Sequence, residues 1–179
     1  MWGVYFAFYY VSSFSRNIIG LPLSESYNLL IILNGVGTFG RIIPNYLADR
    51  YFGPLNCMIP AQVITAMLCF SWIAVSSRSG TYAWAVVYGT AAAAIQSLFP
   101  AALTSLTTDL RKAGVRIGMV FTVVSFAVLT GPPLGGLLIQ RKDGGYEYAD
   151  IFAGMSILVG CGFLTTARMA KSRKLWVKM

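Results

Sequence analysis

Long uncharged, apolar stretches dominate the chain and alternate with short segments that hold the charged residues. Three of these uncharged stretches run over 51–77, 79–108 and 117–140. A helix needs about 20 apolar residues to cross the roughly 30 Å hydrocarbon core of a bilayer. Each of the three stretches exceeds that length, so the pattern predicts membrane-spanning helices.

Shorter apolar segments extend this pattern to six predicted spans, separated by loops rich in glycine, serine, proline and charge. The spans run approximately over 1–15, 27–47, 56–76, 83–106, 116–138 and 150–168. The predicted fold class is therefore all-α and polytopic, with residues 1–168 in one transmembrane bundle and residues 169–179 as a basic cytosolic tail. The first span is short for a crossing, so we expect further residues upstream of it.

Proline and glycine fall inside the predicted spans, most densely in the sequence GPPLGG at 131–136. In a helix bundle, neighbouring helices satisfy the backbone groups that proline frees, and small residues let helix backbones approach each other. We therefore expect kinked and closely packed helices, with Gly131 and Gly135 suited to a close helix contact.

Composition supports the membrane assignment and excludes several kinds of site. Hydrophobic residues make up 56% of the chain and charged residues 11%, whereas soluble domains contain about 25% charged residues. The chain has no histidine and its three cysteines lie far apart in sequence, which excludes imidazole catalysis and a Cys/His zinc site. No nucleophile and base pair or glycine-rich phosphate loop occurs at useful spacing, so we predict no enzyme activity, cofactor or metal.

The net charge of +8 is better explained by membrane topology than by nucleic-acid binding, because lysine and arginine concentrate in the cytosolic loops of membrane proteins. If the second and fourth loops and the tail face the cytosol, ten of the 14 basic residues lie on that side. They are Arg41, Arg50, Arg111, Lys112, Arg116, Arg168, Lys171, Arg173, Lys174 and Lys178. This orientation places both termini in the cytosol, at a plasma or vacuolar membrane. Membrane lipid is then a partner and nucleic acid is not.

A polar stripe follows one face of the second predicted span. Asn34, Thr38, Arg41, Asn45 and Ala48 recur at intervals of three or four residues, which places them on one side of a helix. An arginine within a membrane span costs a few kcal/mol on insertion scales, so such a residue usually faces a cavity or a partner. The stripe therefore predicts a ligand contact at Arg41. The alternative is that Arg41 lies near the cytosolic end and extends its guanidinium to lipid phosphates.

Other polar residues within the spans leave two interpretations open. Gln96, Ser97 and Thr104 in the fourth span, with Thr122 and Ser125 in the fifth, can bond a substrate or neighbouring helices.

Asp49 and Arg50 form a charged pair at a helix end, a common arrangement of solvated residues. The six acidic residues all lie near loops, so a buried carboxylate for proton coupling is not expected.

Three sequence segments resemble the major facilitator superfamily, specifically its fungal monocarboxylate-porter-like branch. NGVGTFGRIIPNYLADRYFGPLN at 34–56 resembles the eighth span and its following loop. GVRIGMVFTVVSFAVLTGPPLGGLLI at 114–139 and YADIFAG at 148–154 resemble the eleventh span and the start of the twelfth. The resemblance implies the C-terminal six-helix half of a twelve-helix transporter, in which the first predicted span is part of helix seven.

The same resemblance implies roles for individual residues. Arg41 matches an arginine that contacts the substrate carboxylate in animal monocarboxylate carriers, and Asn34 and Thr38 lie beside it on the stripe. Those carriers have a proton-coupling aspartate four residues before the arginine, where this chain has Gly37. Carboxylate binding is therefore expected, whereas proton coupling by that route is not.

Asp49 and Arg50 match a loop motif of the superfamily that acts as a cytosolic gate. This chain departs from the motif, because Asn45 replaces its first glycine and one residue is inserted before Gly53. Pro54 and Leu55 also replace the usual basic pair after that glycine. The resemblance thus implies a gate that is weaker than in sugar-porter relatives.

The sequence as a whole predicts an alternating-access transporter of a small organic solute, in particular a carboxylate. The substrate would lie between this bundle and either an N-terminal six-helix half or a second copy of the chain. Because the chain begins inside a predicted span, the alternative is a truncated half-carrier that does not transport, or a membrane assembly partner.

Overall fold

Six α-helices follow one another in the part of the chain that the computed structural model describes, residues 1–107 and 110–171. They are α1 (Trp2–Asn17), α2 (Leu23–Leu47), α3 (Pro54–Trp72), α4 (Arg78–Leu106), α5 (Ala113–Arg141) and α6 (Glu147–Lys171). Each helix overlaps one predicted span, and no strand occurs among the described residues. Most of the predicted tail, residues 172–179, lies outside the described residues.

Four of these helices, α3 to α6, are long and apolar enough to cross a membrane by length and composition. Helix α1 has 16 residues and is short for a crossing, as the sequence pattern predicted. Helix α2 has 25 residues and carries the polar stripe, and it is not among these four helices.

The connection between α2 and α3 begins with a π-helical turn over Ala48–Phe52. Gly53 ends this turn with a φ of 86°, and its N–H donates to the carbonyl of Ala48 at 2.7 Å. Pro54 then starts α3 at a position where a missing N–H costs nothing, because the first amides of a helix have no partner within it. The sequence GPLN therefore redirects the chain without breaking the packing of α2.

A buried aromatic cluster joins α1, α3 and α4. The ring of Trp72 stacks on Trp84 with centroids 4.2 Å apart, and Trp84 stacks on Tyr88 at 4.6 Å. Phe14 meets Trp72 edge to face at 5.3 Å, and the Tyr88 hydroxyl donates to the carbonyl of Val4 at 3.0 Å. Rings of this size bury large apolar areas, so this cluster fixes the first, third and fourth helices against one another.

Helix α5 packs on the others chiefly through α1. A Cβ at Gly135 would lie 2.9 Å from the rings of Phe6 and Tyr10, which makes Gly135 a site of close helix contact, as its sequence predicted. At Gly131 the corresponding distance to the Trp2 ring is 3.6 Å, an ordinary contact. The rest of α5 is largely exposed, and this leaves a wide apolar face for lipid or for another helical bundle.

Candidate functional site

Helices α2 and α4 cross so closely that their backbones touch. A Cβ at Gly40 would lie 2.8 Å from Thr90 Cα, and a Cβ at Gly89 would lie 2.5 Å from the carbonyl oxygen of Leu33. Only a residue without a side chain fits at either point, since real Cβ atoms do not approach backbone atoms so closely. This contact sets the position of the polar stripe relative to α4.

Arg41, one residue after this crossing, is half-buried and reaches across to α4. Its Nη2 atom donates to Oε1 of Gln96 at 3.3 Å. An amide oxygen satisfies one guanidinium donor without neutralising the charge, and a guanidinium carries five N–H donors in all. The structure therefore holds Arg41 in place while its positive charge stays available to an anion.

The other stripe residues lie on the same side of α2 but bond mainly to their own helix. The Asn34 amide donates to the carbonyl of Leu30 at 2.9 Å, and the Asn45 amide donates to the carbonyl of Arg41 at 2.6 Å. Asn34 and Thr38 are both exposed. Thr38 and Asn34 thus lie about one and two turns from Arg41 along one open face. The bond to Arg41 comes from Asn45 and reaches its backbone carbonyl.

Gly37, one turn before Arg41 on the same helix, is buried against α4. A Cβ at this position would lie 3.2 Å from the Cβ of Ala93 and 3.6 Å from Nη1 of Arg41. The position therefore serves helix packing here, which explains physically why it carries no side chain.

The predicted gate residues lie in the π-helical turn, and both are exposed. Arg50 donates from Nη1 to the hydroxyl of Tyr46 at 2.8 Å. Its guanidinium also lies 5.9 Å from the ring centre of Tyr46 and 5.6 Å from that of Tyr51. A cation held between two rings is stabilised by their π-electrons, so Arg50 is oriented by its own turn of the chain. The gating role of Asp49 and Arg50 stays a prediction.

A contact that the sequence did not predict joins the start of α3 to the end of α6. Nε of Arg168 donates to Oδ1 of Asn56, and Arg168 is 4% exposed. The two residues are 112 positions apart, so no local pattern relates them. Asn56 closes the GPLN turn, which makes this hydrogen bond a tie between the α2–α3 connection and the last helix.

We expect Asn56→Ala to lower the free energy of unfolding by about 1.5–3 kcal/mol, the usual range for a hydrogen bond to a charged group. Unfolding of the purified chain in mixed micelles, followed by circular dichroism, measures this loss. The control is Asn28→Ala, because Asn28 is exposed near the opposite end of α2. Equal stability of the two variants would contradict a structural role for the Asn56 to Arg168 bond.

An apolar groove of about 730 Å³ lies between α2, α3 and α4, away from the stripe. Pro44 and Leu47 enter it from another face of α2, and Ile64 and Val87 line it from α3 and α4. Apart from Asn56 and Thr90 its walls offer few polar partners. A specific ligand site normally adds a few well-placed polar groups to its apolar walls. The face of α2 that carries Arg41 has such polar groups, whereas the groove has few.

The structure also corrects the expectation that no carboxylate is buried. Asp150 lies near the start of α6 and close to a loop, as expected, but its side chain is fully buried with a relative exposure of 0%. Neither carboxylate oxygen has a hydrogen-bond partner among the described residues. The surrounding sequence, YADIFAG, gave no sign that Asp150 would be buried, because its burial depends on how α6 packs on α1 and α3.

Known proteins similar to this chain are transporters of filamentous fungi. An MFS-type transporter of Gibberella zeae is 49% identical over 94% of this chain. The MFS-type transporter opdF of Penicillium oxalicum is 30% identical over 96%, and the aspyridones efflux protein apdF of Emericella nidulans is 30% identical over 88%. No protein-family model matches the chain. The chain covers 38%, 40% and 32% of the lengths of these three relatives.

Proposed function

Because the chain is homologous to MFS-type transporters and is an all-α, multi-pass membrane protein, we propose that it forms the C-terminal six-helix half of a major facilitator carrier. The carrier would move a small organic solute by alternating access, with the solute between this half and an N-terminal half. Six consecutive helices, and relatives of more than twice the chain's length, support this assignment. The relatives are named as transporters, which confirms the prediction that the chain is not an enzyme.

The substrate we propose is a carboxylate, and Arg41 carries this part of the assignment. Among the described residues, its guanidinium bonds to the neutral amide of Gln96 and to no acid. Arginine binds carboxylates through paired, charge-assisted hydrogen bonds, which fix the orientation of the anion as well as binding it. The exposed side chains of Asn34 and Thr38 on the same face would contact the rest of the solute. These features also favour the monocarboxylate-porter-like branch of the superfamily.

The names of two relatives favour export as the direction of transport. The Emericella nidulans relative is named as an aspyridones efflux protein, and a relative from Paecilomyces divaricatus as an agnestins efflux protein. We therefore propose that the carrier exports a small organic acid from the cytosol. Asp49 and Arg50 would close the cytosolic side during the cycle, with both termini in the cytosol of a plasma or vacuolar membrane.

Transport of a matched pair of probes tests this function. The chain alone, and the longest open reading frame that contains it, are expressed in transport-deficient yeast preloaded with radiolabelled benzoate or benzamide. We expect saturable export of benzoate by the longer product and no export of benzamide, because only the carboxylate pairs with a guanidinium. Equal export of both probes would contradict the carboxylate assignment, and export of neither would contradict transport of this class.

The same experiment separates the carrier from a non-transporting half. Export by the chain alone would indicate that two copies assemble into a complete cavity. Export by the longer product alone would indicate that the N-terminal half is required. If no longer frame exists and the chain exports nothing, the assembly-partner alternative is favoured.

A further inference from the structure

Asp150 is a carboxylic acid buried inside the bundle at the interface of α6 with α1 and α3, which we call the seam. Its neighbours Ala149 and Ala153 are 0% exposed, like Asp150 itself. The backbone of Ala153 lies so close to Gly3 of α1 that a Cβ at Gly3 would be 2.8 Å from the Ala153 carbonyl carbon. Water reaches the carboxyl only if this seam opens.

No hydrogen bond or ion pair of the described residues compensates a negative charge on Asp150. Both carboxylate oxygens lack a hydrogen-bond partner among the described residues. Nε1 of Trp72, in the aromatic cluster, is also buried without a hydrogen-bond partner in the described part of the chain. A buried ionised group is stable only when it is paired or hydrogen-bonded, and Asp150 is neither.

The titratable side chains that interact electrostatically with this carboxyl, or with a side chain that does, include no cation in the described part of the chain. They are Glu147, Tyr146, Tyr10, Cys69 and Tyr88, from α6 and the segment before it, α1, α3 and α4. Burial raises the pKa of Tyr146, so this phenol stays neutral. Lys142, just after α5, pairs with Glu147 at 3.1 Å.

One influence favours the ionised form. Asp150 lies in the first turns of α6, and the positive end of a helix dipole stabilises a nearby carboxylate. This stabilisation is small at a helix end, whereas removing an unpaired carboxylate from water is far more costly. The balance therefore favours the neutral acid while the seam is closed.

We propose that Asp150 is a proton-binding site of the bundle, which holds a proton while α6 is packed on α1 and α3 and releases it when this seam opens. Release transfers the proton from a carboxyl oxygen to water and leaves a carboxylate, and no other bond changes. The site does not depend on which solute the carrier moves. It would give the protein a proton-linked conformational step at a position unrelated to Gly37.

Infrared spectroscopy of the purified chain in lipid nanodiscs tests this site directly. At neutral pH we expect a carbonyl stretch of a protonated carboxylic acid in the wild type, and its loss in Asp150→Asn. The control is Asp143→Asn, because Asp143 is exposed and has a φ of 52°, which asparagine also tolerates. The control should keep the band. Absence of the band from the wild type, or its persistence in Asp150→Asn, would overturn the proposal.

A second measurement uses stability and pH. An unfolded aspartate loses its proton above about pH 4, while Asp150 keeps its proton in the folded bundle. The folded state then binds one proton more than the unfolded state, so stability falls as pH rises. Between about pH 5 and pH 7 we expect the unfolding equilibrium constant of the wild type to grow about tenfold per pH unit relative to that of Asp150→Asn. Parallel pH profiles for the two proteins would contradict a buried proton.

Discussion

Gly40→Ala is expected to prevent α2 and α4 from packing as they do in the native bundle. The added Cβ would lie 2.8 Å from Thr90 Cα and 2.9 Å from the Thr90 carbonyl carbon, and both are backbone atoms that cannot move aside as a side chain does. Overpacking of a core costs about 1–3 kcal/mol when side chains can adjust. We expect a loss at or above the top of this range, measured by unfolding of the purified chain in mixed micelles.

Gly35→Ala is the matched control for this substitution. Gly35 is on the same helix and exposed, and a Cβ there would meet nothing within 4 Å. Alanine is favoured over glycine in a helix by about 0.5–1 kcal/mol, so the control should be as stable as the wild type or slightly more stable. If both alanine variants behave alike, the close crossing of α2 and α4 is not what holds these helices together.

Arg41→Ala is expected to abolish carboxylate export while leaving the amount of protein at the membrane unchanged. The substitution removes the guanidinium that we propose to pair with the substrate anion. Hydrogen bonds to charged groups contribute about 1.5–3 kcal/mol, which corresponds to roughly a 10- to 150-fold loss of affinity. The half-buried side chain contacts α4 through one hydrogen bond of 3.3 Å, so the fold should tolerate its removal.

Two further variants separate charge from geometry. Arg41→Lys keeps the positive charge but loses the planar pair of donors, and we expect weakened export with a raised KM. Arg78→Ala removes a different arginine, which forms an exposed ion pair with Glu25 at 2.8 Å, and should export normally because such pairs contribute little. Normal benzoate export by Arg41→Ala in the longest reading frame would refute the anchor.

The proposed anion contact at Arg41 and the proposed proton site at Asp150 lie on different helices of the bundle. Gly37, one turn before Arg41, is buried against α4 and carries no side chain. Asp150 lies on a different helix, α6, where it is fully buried. An anion contact at Arg41 and a proton site at Asp150 would thus be separate. Variants of Arg41 should keep the infrared band of Asp150, and variants of Asp150 should keep carboxylate binding at Arg41.

The apolar pattern of the sequence was enough to predict six helices and their approximate limits. Uninterrupted apolar stretches such as 79–108 and 117–140 favour helices in lipid, because a helix satisfies its own backbone N–H and C=O groups. The all-α prediction is confirmed, and the relatives support the major facilitator resemblance stated for GRIIPNYLADR and GPPLGG. The placement of Asn34, Thr38 and Arg41 on one face of α2 also follows from helical periodicity alone.

The sequence by itself thus determined the elements and the residues that share a helix face, because both depend on interactions between near neighbours in the chain. Only the tertiary structure decided which groups meet across helices. Gln96 lies 55 positions from Arg41, and Arg168 lies 112 positions from Asn56. Asp150 stands beside a loop in sequence but is sealed in the bundle, because the close contacts of α6 with α1 and α3 exclude water from it.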